Sequence, residues 1–443
     1  MNPVNSPDDV LESAEAADVR FVRLQFTDLN GMLKSVEIPA HQLRVALEHG
    51  VMFDGSSVEG FVRIEESDMY LAPDPATWHV LPWTTGDRRV ARLICDVCLP
   101  DGRPFAGDPR TILRMAQKRA AQQGFSDFRV GLEAEFFLLA LDASRRASVR
   151  PSDRSGYFDL VTTDVGERCR QDIVMTLQHM GFAVGTAHHE VSPGQHEIDL
   201  LPLSALAAAD QYMTFKLVVK TIARRHGLHA TFMPKPLYGT DGSGLHCRQS
   251  LVQDGRSVFS DAADPLGLSP QARHYVAGLL AHARALTAIT NPVVNSYKRL
   301  VPGYEAPAYI TWAANHPSPL VRTTVLADDA WIELRSPDPA CNPYLAFAGM
   351  LAAGLDGMTS EQVPPPPANV DVHALSDEER LSRGIYRLPA NLEQALEALE
   401  EDFILQEALG DHAISRLVRT RMLEWDAYRR TVHAWEHEQY LDL

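Results

Sequence analysis

Apolar and polar residues alternate along VRFVRLQFTD (residues 19–28) and again along RVARLICDVCLP (89–100), the period of a strand with one buried face. Ahead of the first lies SPDDVLESAEAADV. There Ser6, Pro7 and Asp9 supply a cap, a first-turn proline and the carboxylate of a capping box, which predicts a helix. These elements predict a small α+β domain over residues 1–105. From GDPRTILRMAQKRAAQQG (107–124) to the end, helical and strand-like periods alternate, predicting a larger domain over residues 106–443. ALAAADQYMTFKLVVKTIARRHG has a helical period, whereas GLEAEFFLLALD, HATFMPKP and AWIELRSPDP read as strands. The apolar run YLAFAGMLAAGL is too short to span a bilayer and reads as a buried helix. Prolines 364–367 make a stiff extended connector, and the acidic segment from ANLEQALEALEEDFILQEALG onward is helical.

Composition narrows the function classes. The 443 residues are 45% hydrophobic, enough for a sizeable core, and the formal net charge of -17 excludes nucleic acid as an expected partner. An anionic substrate therefore needs locally placed arginines or metal. The five cysteines are odd in number and scattered, which fits reduced thiols in a cytoplasm; Cys95 and Cys98 lie in a strand-like run without a second pair. The first eighteen residues are polar and acidic, unlike a secretory leader, and neither they nor the apolar run predicts a membrane partner.

Chemistry enters with GLEAEFFLL (131–139). On a strand, Glu133 and Glu135 point to one face while Leu132, Ala134 and Phe136 point to the other. Two buried like charges need cations. In HHEVSPGQHEIDL the turn at Ser192, Pro193 and Gly194 lets Glu190 and Glu197 face each other across a hairpin, WIELR repeats the two-residue spacing with Glu333 and Arg335, and GSGLHC presents His246 after two glycines. Taken singly, each carboxylate reads as a surface or salt-bridged residue. Five glutamates and one histidine together read as a two-cation site, and oxygen-rich ligation with one imidazole favours Mg2+ or Mn2+ over zinc. Paired hard cations suit phosphoryl transfer.

FDGSSVEGFVRIEESD, GLEAEFFLL, HHEVSPGQHEIDL, ATFMPKPLYGTDGSGLHC, NSYKRLVPGYEAP and ELRSPDPACNPYLAFAGMLAAGLDG, in that order, resemble the successive motifs of type I glutamine synthetase, and FVRIEESD with TFKLVVKTIARRHGLHATFMPKP resembles its Gram-positive branch. The resemblance implies an α+β fold: a β-grasp-like N-terminal domain, then a catalytic domain with a curved antiparallel sheet flanked by helices. It implies a homododecamer of two hexameric rings with sites between neighbouring subunits. By motif position, Glu135, Glu190 and Glu197 hold one metal, and Glu133, His246 and Glu333 the other, two or more Mg2+ or Mn2+ per site. Arg299, Arg335 and Gly242 match glutamate-binding positions, and Arg322 and Ser250 lie on the nucleotide side, Arg322 with a catalytic role. Asp54, Ser57, Tyr157, Glu190 and Glu305 match an acidic cage that binds ammonium and removes a proton. The implied reaction joins ammonia to L-glutamate, with ATP as co-substrate forming a γ-glutamyl phosphate.

The departures from that pattern gather on the nucleotide side. Pro317 stands where the family has an arginine that contacts the transferring phosphate, and Trp331 where it has one that helps hold ATP. Gly185 replaces a glutamate, Arg248 a histidine or asparagine, and Asp241 an asparagine beside the glutamate site. Arg248 is expected to reach the phosphates and Trp331 to stack on adenine. Two rival readings stay open: a γ-glutamyl ligase for another amine, and a weakly active or inactive paralogue with a sensing or assembly role. Tyr386 reads as a loop tyrosine rather than a modification site, and Arg63 as either a feedback position or a surface partner of Glu65 or Glu66.

Overall fold

The computed structural model describes residues 5–58, 68–162, 164–314, 316, 318–326, 329–368, 370 and 372–443. Pro317, Arg63, Glu65 and Glu66 lie outside them. The first helix, Pro7–Ala16, begins as its sequence dictates: the Ser6 side chain accepts from the Asp9 amide and the Asp9 carboxylate returns to the cap. It packs on a sheet in which Phe21–Thr27 pairs antiparallel with Leu33–Pro39 and parallel with Val90–Cys98. Asp68–Pro73 and the edge strand Val51–Asp54 complete the path. Val22, Leu24, Leu71, Leu93 and Val97 fill a core of their own.

The second sheet carries the chemistry. In space it runs Trp312–Ala314, Val321–Leu326, Asp329–Leu334, Leu245–Gln253, Asp127–Leu141, Gln195–Ser204, Val184–His189. All neighbours are antiparallel except the edge pair Trp312–Ala314 with Val321–Leu326, which is parallel, so the expected antiparallel sheet is mixed at that edge. The expected alternation along Asp127–Leu141 divides the molecule. Leu132, Ala134, Phe136 and Leu138 are buried beneath the helix Ala205–Arg225, where Phe136 meets Phe215 edge-on at 6.1 Å between ring centroids. Glu133 and Glu135 face the other way.

Helix Pro343–Thr359 is the apolar run read as buried, and it is. Asn342 caps it and also donates to the Asp28 carbonyl at 3.0 Å, tying it to the N-terminal sheet. Between the two sheets, Arg110 on helix Pro109–Gln122 reaches Asp74, Asp96 and Asp210 at 2.7, 2.5 and 2.8 Å. The C-terminal segment forms helices Leu392–Glu401, Phe403–Leu409, Asp411–Arg429 and Ala434–Tyr440. No helix among the described residues is long and apolar enough to cross a membrane.

Candidate active site

Strand register assembles the site. Across the sheet, Glu133 stands opposite Asp199 on one side and His246 on the other, and Glu135 stands opposite Glu197. Glu333 pairs with Arg248 on one neighbour and Arg322 on the other. Residues separated by hundreds of positions thus become a patch of alternating rows on one face. Three overlapping groups result, each with ligand atoms within 4.8 Å of one another: Glu133, His246 and Glu333; Glu135, Glu197 and His246; and His188, Glu190 and Glu197.

Individual contacts fix the geometry. His246 Nδ1 lies 3.0 Å from Glu133 Oε2 and 3.6 Å from Glu333 Oε1, while its Nε2 lies 3.8 Å from Glu135 Oε1. One imidazole therefore bridges both carboxylate groups. Gln195 Nε2 and the Gly244 amide donate to Glu135 Oε2 at 2.8 and 2.9 Å. A Cβ on Gly244 would stand 2.7 Å from Arg299 Nη2 and 3.1 Å from Glu135 Oε1, so only glycine leaves this convergence open.

The hairpin bearing Glu190 is held from beneath. His189 Nδ1 meets the Glu190 carbonyl at 2.7 Å and its Nε2 meets Asp153 Oδ1 at 3.0 Å, while the Gly194 amide donates to the same Asp153 oxygen at 2.9 Å. Gly194 has φ of +73°, and a Cβ there would press on the Leu138 carbonyl at 2.8 Å.

Electrostatics mark the centre of the patch. Burial, then the charges of Glu135 and Glu197, pushes the Glu190 carboxyl well above its ordinary value. Burial, then Glu135 and Glu133, does the same to Glu197. Burial, then Arg335, lowers His246 to about 3, leaving it a neutral imidazole with a lone pair for a cation. Divalent cations are the natural replacement for protons on such carboxylates, and a donor set of carboxylate oxygens with one shared imidazole fits hard cations such as Mg2+ or Mn2+.

Around the patch the other predicted residues take distinct positions. Tyr157 stacks on Phe158 with 3.9 Å between centroids, and burial with the charges of Glu190, Glu197 and Glu305 raises its hydroxyl pKa. Arg335 donates to Glu333 at 2.8 Å and, with Glu305, lines a cavity of about 410 Å³. The Glu305 amide donates to Asp241 Oδ1 at 2.9 Å. Arg299 is fully buried, giving its guanidinium to the carbonyls of Ser336 at 2.7 Å and Arg335 at 3.2 Å, and it braces the floor beside Gly242. Arg322 lies 3.7 Å from Glu333, and the buried Ser250 hydroxyl contacts that of Ser257 at 3.0 Å. Arg248 pairs with Glu133. Trp331 shares the face of Glu333 two residues away on the same strand. Asp54 and Ser57 belong to the N-terminal sheet, on its edge strand and the turn Gly55–Ser57, and not to the sheet that carries the carboxylates.

Sequence reasoning passed over His188, which lies 3.2 Å from Glu197 and 3.4 Å from Glu190, and Asp199 beside Glu133. Each sits two residues from a glutamate already singled out, so the same-face rule would have found both. His316, Ser318 and His373, in the cavity wall, carried no such signal.

Comparison with known proteins places both parts of the chain in one family. Residues 18–100 match the glutamine synthetase beta-Grasp domain and residues 106–440 the glutamine synthetase catalytic domain. Glutamine synthetases of Staphylococcus epidermidis and Staphylococcus aureus are 52% and 51% identical over 98% of both chains. Among solved structures, GmaS in complex with ADP is 34% identical with a TM-score of 0.89, covering 98% of this chain and 99% of that one. The glutamine synthetase of Plasmodium falciparum is 26% identical with a TM-score of 0.87, covering 99% and 100%. The chain belongs to the glutamine synthetase family.

Proposed function

We propose that this chain ligates ammonia to L-glutamate at the expense of ATP, through a γ-glutamyl phosphate, and that the acidic patch is where it does so. The observation that carries the reading is the set of three overlapping carboxylate and imidazole groups on one sheet face. Glu135, Glu190 and Glu197, and Glu133, His246 and Glu333, would hold two or more Mg2+ or Mn2+ per site, which would supply positive charge to the phosphates. Arg335, at the boundary of that patch and the cavity, is placed to hold a carboxylate of glutamate. Arg322 and Ser250 lie on the nucleotide side, and ADP in the GmaS complex supports a nucleotide in this fold. A carboxylate is a poor acyl donor, so phosphorylation must precede attack by the amine.

Ammonium must lose a proton before attack. Glu305, on the cavity wall with Arg335 and close enough to Tyr157 for its charge to be felt there, is a suitable acceptor because burial and Asp241 raise its pKa. Asp54 and Ser57 sit on the other sheet, in keeping with a site completed by a neighbouring subunit in a dodecamer of two hexameric rings. Reduced, unpaired cysteines fit a cytoplasmic protein.

Phosphate release measured with ATP, glutamate and a panel of amines tests the reading. Turnover with ammonia alone supports it. Preference for a larger amine would transfer the same chemistry to another product, and glutamate binding without turnover would leave a sensing or assembly role. Light scattering of the purified chain tests the dodecamer.

A further inference from the structure

The two halves of the patch are neutralised unequally. Glu133 and Glu333 have three guanidinium groups at hand: Arg248 on Glu133, and Arg335 and Arg322 at 2.8 and 3.7 Å from Glu333. Among the described residues, no lysine or arginine nitrogen comes within 4.0 Å of Glu135, Glu190 or Glu197. Arg248 thus occupies one of the carboxylates that a second cation would use. A second seat lies beside it. Asp199 stands opposite Glu133 on the adjacent strand, its Oδ2 accepts from Thr186, and its Oδ1 is buried with no hydrogen-bond partner. Arg248 Nε is also buried and unpartnered. A buried carboxylate oxygen and a buried guanidinium nitrogen, both unsatisfied, flank the same glutamate.

We propose that Arg248 is an internal competitor for the divalent cation: it holds Glu133 in the cation-free chain and passes to Asp199 when a cation enters the group of Glu133, His246 and Glu333. The proposal rests on reading that group as a cation site. The group around Glu197, with no arginine on it, loads without displacing a guanidinium, so the two groups differ in affinity by an amount to which Arg248 contributes. A lysine at this position keeps the charge and the competition but loses the fork that reaches either carboxylate.

Titration of the nucleotide-free protein with Mn2+, following the free ion by electron paramagnetic resonance, tests it. Arg248→Gln is expected to tighten the weaker Mn2+ site about tenfold, the scale of one charge-assisted hydrogen bond. Asp199→Asn, which removes the second seat, is expected to weaken that site, and Arg248→Gln with Asp199→Asn together should match Arg248→Gln alone. Unchanged binding in Arg248→Gln, or additive effects in the double variant, would overturn the proposal. Thermal melts of each variant, with His188 and Glu197 untouched, exclude misfolding as the cause. A wild-type protein that takes up one Mn2+ only, with Arg248→Gln equally limited, would overturn the cation-site reading itself.

Discussion

The seam between the two sheets and the acidic patch both gather buried carboxylates, yet they are balanced in opposite ways. At the seam, Asp74, Asp96 and Asp210 converge on Arg110, whose side chain is only 3% exposed, and Tyr344 donates to Asp210 at 2.7 Å. Every charge there has its partner inside the chain. In the patch, among the described residues, Glu135, Glu190 and Glu197 have no lysine or arginine nitrogen within 4.0 Å, and the imidazoles of His188 and His246 approach them instead. A cluster built for structure carries its own cation, whereas a cluster built for binding leaves that place to a ligand.

That contrast is breakable. The largest expected effect is at the seam: Arg110→Met strands the buried Asp210 and leaves Asp74 and Asp96 to Arg114 alone, and should destabilise the protein by about 3–5 kcal/mol, read as a shift of the urea midpoint, with no rescue by Mn2+. Glu197→Gln should not lower the stability of the cation-free chain, because a neutral amide replaces a carboxyl that burial already disfavours in its charged form. If it destabilises as much as Arg110→Met, the two clusters are alike and the comparison is wrong. Next comes the cation itself. Mn2+ at about 100 times its dissociation constant should stabilise the wild type by about 2.7 kcal/mol in thermal melts, and Glu197→Gln should abolish most of that gain.

Per unit of change, the smallest effect is the dependence on pH. Glu190 has a folded pKa raised above its ordinary 4.5, so the folded state binds more protons than the unfolded one above that pH. The stabilisation is full below pH 4.5 and is lost as pH rises through the folded value, with a slope of ~1.4 kcal/mol per pH unit for each such carboxylate. Saturating Mn2+ should flatten the slope. A cation-free chain whose melting temperature rises over this range would contradict the assignment of buried, proton-holding glutamates.

Local signals were the legible ones. The cap at Ser6, the alternation in GLEAEFFLL and the apolar run from Tyr344 each dictate their element from neighbouring residues alone. The likeness to glutamine synthetase was equally readable, because its motifs lie in order along the chain. What the sequence hides is register. Nothing in HCRQS says that Arg248 will stand across from Glu333 and turn to Glu133, and nothing in YKRLVPGYE says that Arg299 will spend its donors on backbone carbonyls. The parallel edge pair at Trp312–Ala314 is equally invisible, because strand direction depends on the path of the intervening loop.

Helix Pro343–Thr359 has a bearing on how such a chain can diverge. Water reaches almost none of its length, and Gly278, Gly354 and Gly357 sit where it crosses the helix Pro270–Ala281 with no room for a methyl group. Exchanges there are tolerated only when shape and volume are matched. Drift is therefore channelled outward, to the rim and the surface helices, while this central rod keeps its spelling.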